Sequence, residues 1–405
     1  MNSNDIFQPV IIGTDVNAYN VARAFHMEYG VVSKVFGSRK LVMVSHSSIC
    51  DVTEVPDFAT DEVMVETLKN YAKENKKKKL ILFASSEQYI FRLFNNFDKL
   101  KEDYIIPYTN PEQGIALSDK MTFYSYCEKF DLDYPSTQIV EKSTYREFEL
   151  NIAFPVVLKP IESSDYFDLQ FEGKEKVYIL KNEEELTEAL RRIYENNYKH
   201  NMIVQEYIEG DITDEYVANV YSDKNGKVKL MSLGRILIED PQPEMRGNYV
   251  AITNAPNNDA TNSVLSDIKG FLESINYTGI SNIDLKFDHR DGKYKFFEIN
   301  MRQGRSSFFS VLAGANYAIS IVEDFIKDLS NQDIIYGNDP FVSINCSKGA
   351  FYKVIKSQDI DGHHDLSKVD NIQNTLWYKK DLSFSRRRQL KKYLKMYDER
   401  LLKQI

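Results

Sequence analysis

Two segments near residue 290 carry side chains that could hold a metal ion. Asp284 lies in the first segment, and Glu298 and Asn300 stand two positions apart in the second. Alternate residues of a strand share one face, so a hairpin can bring these three side chains together. Carboxylate and amide oxygens suit Mg2+, and Arg302 on the same face could offset negative charge on a phosphoryl group in transfer. A polar hairpin face that only contacts water is the alternative interpretation.

The connection between the two segments decides whether the carboxylates meet. A three-residue loop within 289–292, with Gly292 in the left-handed conformation, sets Asp284 opposite Glu298. A two-residue loop would instead pair Asp284 with Ile299 and turn it to the wrong face. The metal hypothesis therefore predicts the longer loop. The same alternation predicts a set of core residues: Ile283, Leu285, Phe287, Phe297, Ile299 and Met301.

Two further segments have strand character and end in polar side chains. Residues 154–160 form a short apolar run that ends in Lys159 and is stopped by a proline, which places the lysine at a cleft. Residues 203–210 have the pattern of another strand, which ends at Gly210. The backbone at the edge of such a strand can form hydrogen bonds with an adenine ring. Between these two segments, polar and apolar residues alternate irregularly over residues 163–181, and this pattern predicts a mobile hairpin lid.

The order of these segments, with Ser-Asp-Lys opening a helix at 118–120, resembles the ATP-grasp superfamily over roughly residues 1–330. The resemblance implies an α/β fold in which an N-terminal parallel domain and two α+β subdomains enclose a nucleotide. It also implies ATP and Mg2+ as cofactors. The site residues that it implies are Lys120 and Lys159 for the phosphates, Glu206 and Ile208 for the adenine, Glu215 near the ribose, and Asp284, Glu298 and Asn300 for the metal.

The loop after Lys159 departs from the superfamily pattern. Many members carry a glycine-rich loop over the phosphates there, whereas this chain has Glu-Ser-Ser-Asp-Tyr at 162–166. Backbone amides or the hydroxyls of Ser163 and Ser164 could still bind phosphate. We therefore predict that Ser163 contacts the nucleotide.

The chemistry implied by the resemblance is amide formation through an acyl phosphate. ATP phosphorylates a carboxylate and an amine then displaces the phosphate, so positioning and charge neutralisation carry most of the rate. Arg302, Arg235 and Arg246 are candidate catalytic residues, because an arginine fork binds phosphate or carboxylate bidentately. Surface ion pairs are the alternative for Arg235 and Arg246. Residues 303–307 form a small-residue loop after the metal strand and could hold an amino acid substrate.

Within the superfamily, residues 9–26 and 216–223 most resemble the D-aspartate ligases of Gram-positive cell-wall synthesis. That resemblance implies that the side-chain carboxylate of D-aspartate is attached to the lysine amine of a UDP-linked muramoyl pentapeptide. Aspartyl phosphate would be the intermediate. The alternatives are a ligase for another amino acid and amine, a non-catalytic nucleotide-binding module, and an interaction protein docked on a membrane.

The N-terminal region alternates strand and helix patterns, which predicts a parallel sheet. Gly13 ends the first strand, and Thr14, Asp15 and Asn17 follow at the turn into a helix. Open backbone amides at such a turn could meet a small polar substrate beside these side chains. A helix cap by Asp15 or Asn17 is an equally good explanation.

Composition indicates a cytoplasmic enzyme with two or three domains. The chain has 405 residues, 42% hydrophobic content and a formal charge of -9. Three scattered cysteines argue against a disulfide framework, and the N-terminus lacks the basic and apolar blocks of a signal peptide. The acidic balance disfavours nucleic acid as a partner, and no apolar run approaches the length of a membrane span.

The C-terminal segment reverses the charge of the rest of the chain. Residues 377–405 hold ten basic and three acidic side chains, a net +7, so that -9 minus +7 leaves -16 elsewhere. Apolar residues at helical spacing predict a helix with one packed face: Leu390, Tyr393, Leu394, Tyr397 and Leu401. The simplest interpretation is that the basic face contacts solvent. The alternative is that it binds a nucleotide-sugar diphosphate or an anionic membrane surface.

The predicted division of the chain has four parts. They are an N-terminal domain at 1–113, an ATP-grasp subdomain with the lid at 114–208, a second subdomain with the metal site at 209–330, and a C-terminal extension at 331–405.

Overall fold

The computed structural model describes residues 3–161, 165–166, 169–242, 247–329, 333–358 and 371–403. These residues form three sheets with helices packed around them. Two predicted site residues, Ser163 and Arg246, lie outside the described residues, as does part of the predicted lid. Their roles therefore stay predictions.

The N-terminal sheet is parallel, as the alternating pattern predicts. Its order is β3-β2-β1-β4. The strands are β1 (Phe7–Ile12), β2 (Ser33–Gly37), β3 (Cys50–Glu54) and β4 (Lys79–Ala84). The apolar side chains of β1 and β4 are buried on both faces, because helices cover the sheet on each side. The carboxyl ends of these strands meet at one edge, which is where polar loops can converge.

The helices of this domain are α1 (Ser3–Ile6), α2 (Val16–Tyr29), α3 (Asp61–Glu74), α4 (Glu87–Asn95) and α5 (Phe97–Leu100). The turn from β1 into α2 is tight. Gly13 has φ 106°, and a Cβ there would lie 1.9 Å from Ser85 Oγ, so only glycine fits. Asp15 caps α2 by accepting hydrogen bonds from the backbone amides of Asn17 and Ala18 at 3.0 and 3.1 Å.

A four-stranded antiparallel sheet follows, with the order β5-β8-β6-β7. Its strands are β5 (Thr137–Val140), β6 (Val156–Pro160), β7 (Tyr178–Leu180) and β8 (Met202–Glu206). Helices α6 (Pro111–Ser118) and α7 (Lys120–Lys129) precede it, and α8 (Glu183–Glu195) packs against it. Asn182 caps α8 by accepting a hydrogen bond from the amide of Glu185 at 2.9 Å.

The third sheet has eight strands and carries the predicted metal hairpin. Its order is β13-β12-β9-β10-β11-β15-β16, and β14 pairs with β10. The strands are β9 (Glu215–Ser222), β10 (Val228–Glu239), β11 (Tyr249–Asn254), β12 (Gly279–Asp288), β13 (Lys293–Asn300), β14 (Ile335–Tyr336), β15 (Val342–Ile344) and β16 (Ile372–Asn374). The predicted boundary at residue 331 is not a break in this sheet, since three strands beyond it belong to it. These strands have two or three residues each, too few to show a period in the sequence.

The remaining helices are α9 (Asp259–Ser274), α10 (Ser307–Leu312), α11 (Tyr317–Phe325), α12 (Lys348–Ser357) and α13 (Phe384–Leu402). The predicted packed face of α13 is confirmed, because Leu390, Leu394, Tyr397 and Leu401 are buried. Among the helices of the described residues, none combines the length and the apolar composition needed to cross a bilayer.

A buried ion pair fastens the C-terminal segment to the N-terminal domain. Arg386 Nε lies 2.9 Å from Asp381 Oδ2, and the two side chains are 0% and 1% exposed. The same carboxylate accepts hydrogen bonds from the hydroxyls of Tyr19 and Ser47 at 2.9 and 2.8 Å, and from the amide of Ser48 at 2.6 Å. The C-terminal segment is thus part of the same body as α2.

We predict that Asp381→Asn lowers the free energy of unfolding by about 3 kcal/mol, because Arg386 would keep a buried charge without its counter-ion. Denaturant unfolding followed by the fluorescence of Trp377, the one tryptophan of the chain, measures this. Glu399→Gln is the control, since it removes an exposed pair with Lys395 at 3.9 Å and should change stability by less than about 0.5 kcal/mol. Equal unfolding curves for both variants would contradict the role of Asp381.

Candidate active site

The two carboxylates of the hairpin face one another, as predicted. Asp284 on β12 pairs directly with Glu298 on β13. The connection is one residue longer than predicted, because Asp288 pairs with Lys293 and residues 289–292 lie between them. With that loop and regular pairing throughout, Glu298 would stand opposite Ile283, a core residue. A β-bulge between the Asp284–Glu298 pair and the Leu285–Phe296 pair restores the register.

The extra residue of this irregularity is Phe297. Phe296 takes the core position opposite Leu285 and is 1% exposed, whereas Phe297 is half-buried and its ring centroid lies 6.0 Å from Lys159 Nζ. The prediction that Phe297 enters the core is therefore wrong. Two adjacent phenylalanines can each supply the core side chain, and the bulge selects the first of them.

Two lysines approach this acidic pair from separate elements. Lys120 is the first residue of α7, and its Nζ lies 2.7 Å from Glu298 Oε2. Lys159 is on β6, and its Nζ donates a hydrogen bond to Gln205 Oε1 at 2.8 Å. The predicted pair of phosphate-contacting lysines thus lies beside the predicted metal strand.

The charged groups around the hairpin strongly shift one another's pKa values. The charge of Lys120 holds the pKa of Glu298 at about 2, whereas burial and the nearby Glu298 raise the pKa of Asp284 well above its usual range. Burial and the charge of Lys120 lower the pKa of Lys159 to about 7. A divalent cation between the two carboxylates would favour the charged form of both.

The donor set suits magnesium. Asn300 on β13 donates to Glu298 Oε1 at 3.4 Å, and Tyr249 donates to Asp284 Oδ1 at 3.4 Å. In the parts of the chain that the structure describes, no group of three or more His, Cys, Asp or Glu side chains is arranged for a metal ion. Two carboxylates and one amide oxygen form a partial shell of the kind that Mg2+ completes with phosphate oxygens and water.

A cleft of about 270 Å³ joins this hairpin to the N-terminal domain. Asp284, Glu298, Asn300 and Arg302 line one side of it. Arg302 Nη2 lies 3.5 Å from Asn300 Oδ1 and 3.8 Å from the Glu87 carboxylate of α4. The predicted catalytic arginine is therefore within the same cleft as the predicted metal ligands.

The β1–α2 turn lines the other side of the cleft, so Asp15 caps a helix and also borders the candidate site. Asn17 is 6% exposed and donates to the carbonyl of Ser85 at 2.9 Å, while its Oδ1 has no partner among the described residues. Thr14 is buried and donates to the carbonyl of Arg39 at 2.8 Å. Asp15 and Asn17 fit the predicted substrate contact better than Thr14.

Arg305 is a cleft residue that sequence reasoning located only as part of the loop 303–307. It lines the cleft, and its charge opposes the effect of burial, which raises the pKa of Asp15. Gln303 holds this loop against β4, because it accepts a hydrogen bond from Tyr108 and donates one to the carbonyl of Ala84, both at 2.8 Å. The only sequence signal was an arginine among small residues after the metal strand.

Two predicted residues lie on the neighbouring strands of the sheet. Glu215 on β9 stands opposite Lys286 on β12, and burial with the nearby Glu239 raises its pKa to about 7. Arg235 Nε donates to the carbonyl of Thr213 at 2.5 Å, and its guanidinium lies 3.9 Å from Asp214. These contacts hold Arg235 against residues 213 and 214, and its catalytic role stays a prediction.

The predicted adenine strand is β8 and its continuation. Glu206 forms an ion pair with Arg290 at 2.7 Å, and Ile208 is buried at 2% exposure. Gln205, which was not predicted as a site residue, is 1% exposed and donates to the hydroxyls of Tyr124 and Thr137 at 2.8 and 2.9 Å while accepting from Lys159. The direction of the Gln205 side chain depends on how the strands pair, so the sequence alone did not indicate that it contacts Lys159.

Comparison with solved structures identifies the fold. N5-carboxyaminoimidazole synthetase from Staphylococcus aureus is 15% identical, with a TM-score of 0.62 over 90% of this chain and 89% of that chain. L-amino acid ligase from Bacillus licheniformis is 15% identical, with a TM-score of 0.56 over 78% of this chain and 74% of that chain. The fold is an ATP-grasp fold, which confirms the prediction.

The particular family follows from a closer relative, although no family model matches the chain. The D-aspartate ligase of Enterococcus faecium (strain Aus0004) is 38% identical over 400 residues, which are 95% of this chain and 94% of the relative. The chain belongs to the D-aspartate ligase family. It is an ATP-dependent ligase that joins a carboxylate to an amine.

We predict that Gln205→Leu weakens ATP binding severalfold, because Lys159 loses the acceptor that positions it. Stability should fall by about 2 kcal/mol, since the substitution leaves buried polar partners unpaired. Calorimetric titration with a non-hydrolysable ATP analogue and denaturant unfolding measure the two effects.

The matched control is Gln138→Leu on the neighbouring strand β5, where Gln138 accepts from the amide of Asn151 at 2.7 Å. Its affinity for the analogue should equal that of the wild type. Wild-type affinity in the Gln205 variant as well would show that Lys159 needs no such support.

Proposed function

We propose that the protein joins the side-chain carboxylate of D-aspartate to the lysine ε-amine of a UDP-linked muramoyl pentapeptide in the cytoplasm, using ATP and Mg2+. One observation carries the proposal. In a chain of the D-aspartate ligase family, the facing pair Asp284 and Glu298 lies in one cleft with Arg302, beside Lys120 and Lys159. Such a cleft suits phosphoryl transfer to a carboxylate.

The nucleotide is proposed to lie between β8 and the metal hairpin. Lys120 and Lys159 neutralise its phosphates, and Mg2+ held by Asp284, Glu298 and Asn300 would add charge compensation at the same oxygens. The remaining nucleotide contacts are assigned by the resemblance: Glu206 and Ile208 to the adenine, Glu215 to the ribose and Ser163 to the phosphates.

In the first proposed step, a side-chain oxygen of D-aspartate attacks the γ-phosphorus of ATP, and the bond to the ADP oxygen breaks. Arg302, which lines the same cleft, is proposed to stabilise the charge that spreads over the phosphoryl oxygens. In the second step, the lysine nitrogen attacks the acyl carbon, the carbon–oxygen bond to phosphate breaks, and the amine loses a proton. Arg235 and Arg246 are retained as candidates for orienting the acyl phosphate.

A free amino acid carries a carboxylate and an ammonium group, so its site needs both signs of charge. Arg305 and Asp15 lie close enough to influence one another and both line the cleft. We assign Arg305 to the α-carboxylate and Asp15 to the ammonium group of the amino acid. Asn17 Oδ1, which lacks a partner among the described residues, can accept a second hydrogen bond from the ammonium group.

The decisive experiment measures phosphate release with ATP, Mg2+ and D-aspartate, L-aspartate or other amino acids, with and without the lysine-containing precursor. Mass analysis identifies the product. A precursor heavier by one aspartyl residue, formed only with D-aspartate, supports the proposal. Release with a different pair of substrates would refute the proposed substrates, and no release with any pair would refute the proposal as a whole.

We predict that Glu298→Gln lowers kcat by about a hundredfold or more, because charge compensation at the phosphates is lost. The fold should persist, because the Glu298 side chain is 41% exposed and contributes little to packing. Phosphate release over a Mg2+ titration, together with the unfolding midpoint, measures both.

Glu188→Gln is the control for charge neutralisation, because Glu188 pairs with Arg191 on the surface of α8, away from the cleft. Its turnover should match the wild type. Near-wild-type turnover and an unchanged Mg2+ dependence in the Glu298 variant would remove Glu298 from the metal site.

A further inference from the structure

A second, larger cavity of about 1040 Å³ lies between α13 and the edge strand β16. None of its lining residues lines the catalytic cleft. Apolar side chains such as Ile344, Ile372 and Leu394 contribute to its wall, as do the aromatic rings of Trp377 and Tyr378. Its size and mixed lining suit an organic ligand with a ring.

Five lysines line this cavity, and all of them are exposed: Lys348, Lys379, Lys380, Lys391 and Lys395. Lys395 pairs with Glu399 at 3.9 Å. The other four have no ion-pair partner within 4.0 Å in the described parts of the chain. Asp398 and Glu399 also line the cavity, so the lysines outnumber the carboxylates by five to two. On a chain with a formal charge of -9, this local excess of positive charge favours an anionic ligand.

A buried arginine adds to this positive charge. Arg23, which lines the cavity and is 2% exposed, donates to the carbonyls of Thr375 and Asn374 at 2.6 and 3.1 Å, but its Nε has no partner among the described residues. Helix α12 begins at Lys348 after its cap residue Ser347, and both residues line the cavity. This helix start is already occupied, because the Ser347 amide donates to Asp398 Oδ1 at 2.9 Å and Ser347 Oγ accepts from the Ala350 amide at 3.1 Å, so the lysines and Arg23 supply the positive charge.

Helix α2 connects this cavity to the catalytic cleft. Asn17 lines the cleft, whereas Arg23 and Met27 line the second cavity. At about 1.5 Å per residue, they are about 9 and 15 Å further along the helix. Between them, Asn20 is 3% exposed, and neither polar atom of its amide has a partner among the described residues. Asn20 lines neither cavity, so α2 sets the separation between the two cavities and offers the ligand no contact midway.

We infer that this cavity binds the uridine diphosphate end of the acceptor while the lysine amine of the same molecule reaches the catalytic cleft. The inference rests on the proposed function. The diphosphate meets the lysines, and the uracil ring can stack on Trp377, which is only half-buried. Tyr378 is buried, with the Arg23 guanidinium over its ring. An extended peptide spans about 3.3–3.6 Å per residue, so the sugar and a few residues cover the separation along α2.

The binding test uses UDP as the probe and the fluorescence of Trp377 as the signal, because this cavity residue is the one tryptophan of the chain. Full-length wild-type protein should give a saturable change on titration with UDP. Lys391→Glu should weaken that binding about tenfold or more, since it reverses a charge at the diphosphate. Lys392→Glu is the matched control, because Lys392 is exposed on the same helix but does not line the cavity, and its affinity should stay within about twofold.

The kinetic test compares the same two variants with the UDP-linked precursor. Lys391→Glu should raise the KM for the precursor about tenfold and leave the KM values for ATP and D-aspartate unchanged. Lys392→Glu should match the wild type. If the wild type fails to modify the precursor, the proposed function fails, and the UDP titration decides the binding site separately.

Two outcomes would overturn the inference while the ligase function stands. One is an active wild type whose fluorescence does not respond to UDP and whose Lys391 variant has an unchanged KM for the precursor. The other is binding to phosphatidylglycerol vesicles that depends on Lys391, without any response to UDP. The second outcome would assign the lysines to an anionic lipid surface.

Discussion

The repulsion between two carboxylates on adjacent strands is the constraint around which this molecule is organised. Asp284 and Glu298 face one another across β12 and β13, and the burial of Asp284 makes their proximity costly unless positive charge is supplied nearby. That charge comes from different parts of the chain, from Lys120 at the start of α7 and from Lys159 on β6. The protein side chains alone leave Asp284 with a raised pKa, so the site is suited to accept a further cation together with a phosphate-bearing ligand.

A second constraint is the attachment of the C-terminal segment to the N-terminal domain. The Asp381–Arg386 pair and the hydrogen bonds of Arg23 to the β16 region are buried, and buried charges are tolerated only when partners are fixed around them. Since α2 also starts at the candidate cleft, the same contacts fix the position of Asp15 and Asn17 relative to the hairpin. The C-terminal residues thus help to shape this cleft without lining it.

These two constraints explain why the cleft lies between domains. The hairpin supplies the carboxylates Asp284 and Glu298, and the edge of the parallel sheet supplies the capped turn at Asp15, where strand ends converge. Gln303 links the hairpin to the parallel sheet through hydrogen bonds with Tyr108 and with the end of β4. These bonds bring Arg305 into the cleft. A substrate in this cleft would therefore contact both domains.

Local periodicity in the sequence determined which residues share a face. The alternation at 283–302 placed Glu298 with Asn300, and helical spacing placed the packed residues of α13, because both depend only on backbone geometry over a few residues. Tertiary structure alone decided that Phe297 forms the bulge, that Gln205 supports Lys159, that Arg235 turns toward Thr213, and that three short strands beyond residue 331 complete the sheet. These outcomes depend on contacts between residues far apart in the chain, and no local pattern encodes which distant groups will meet.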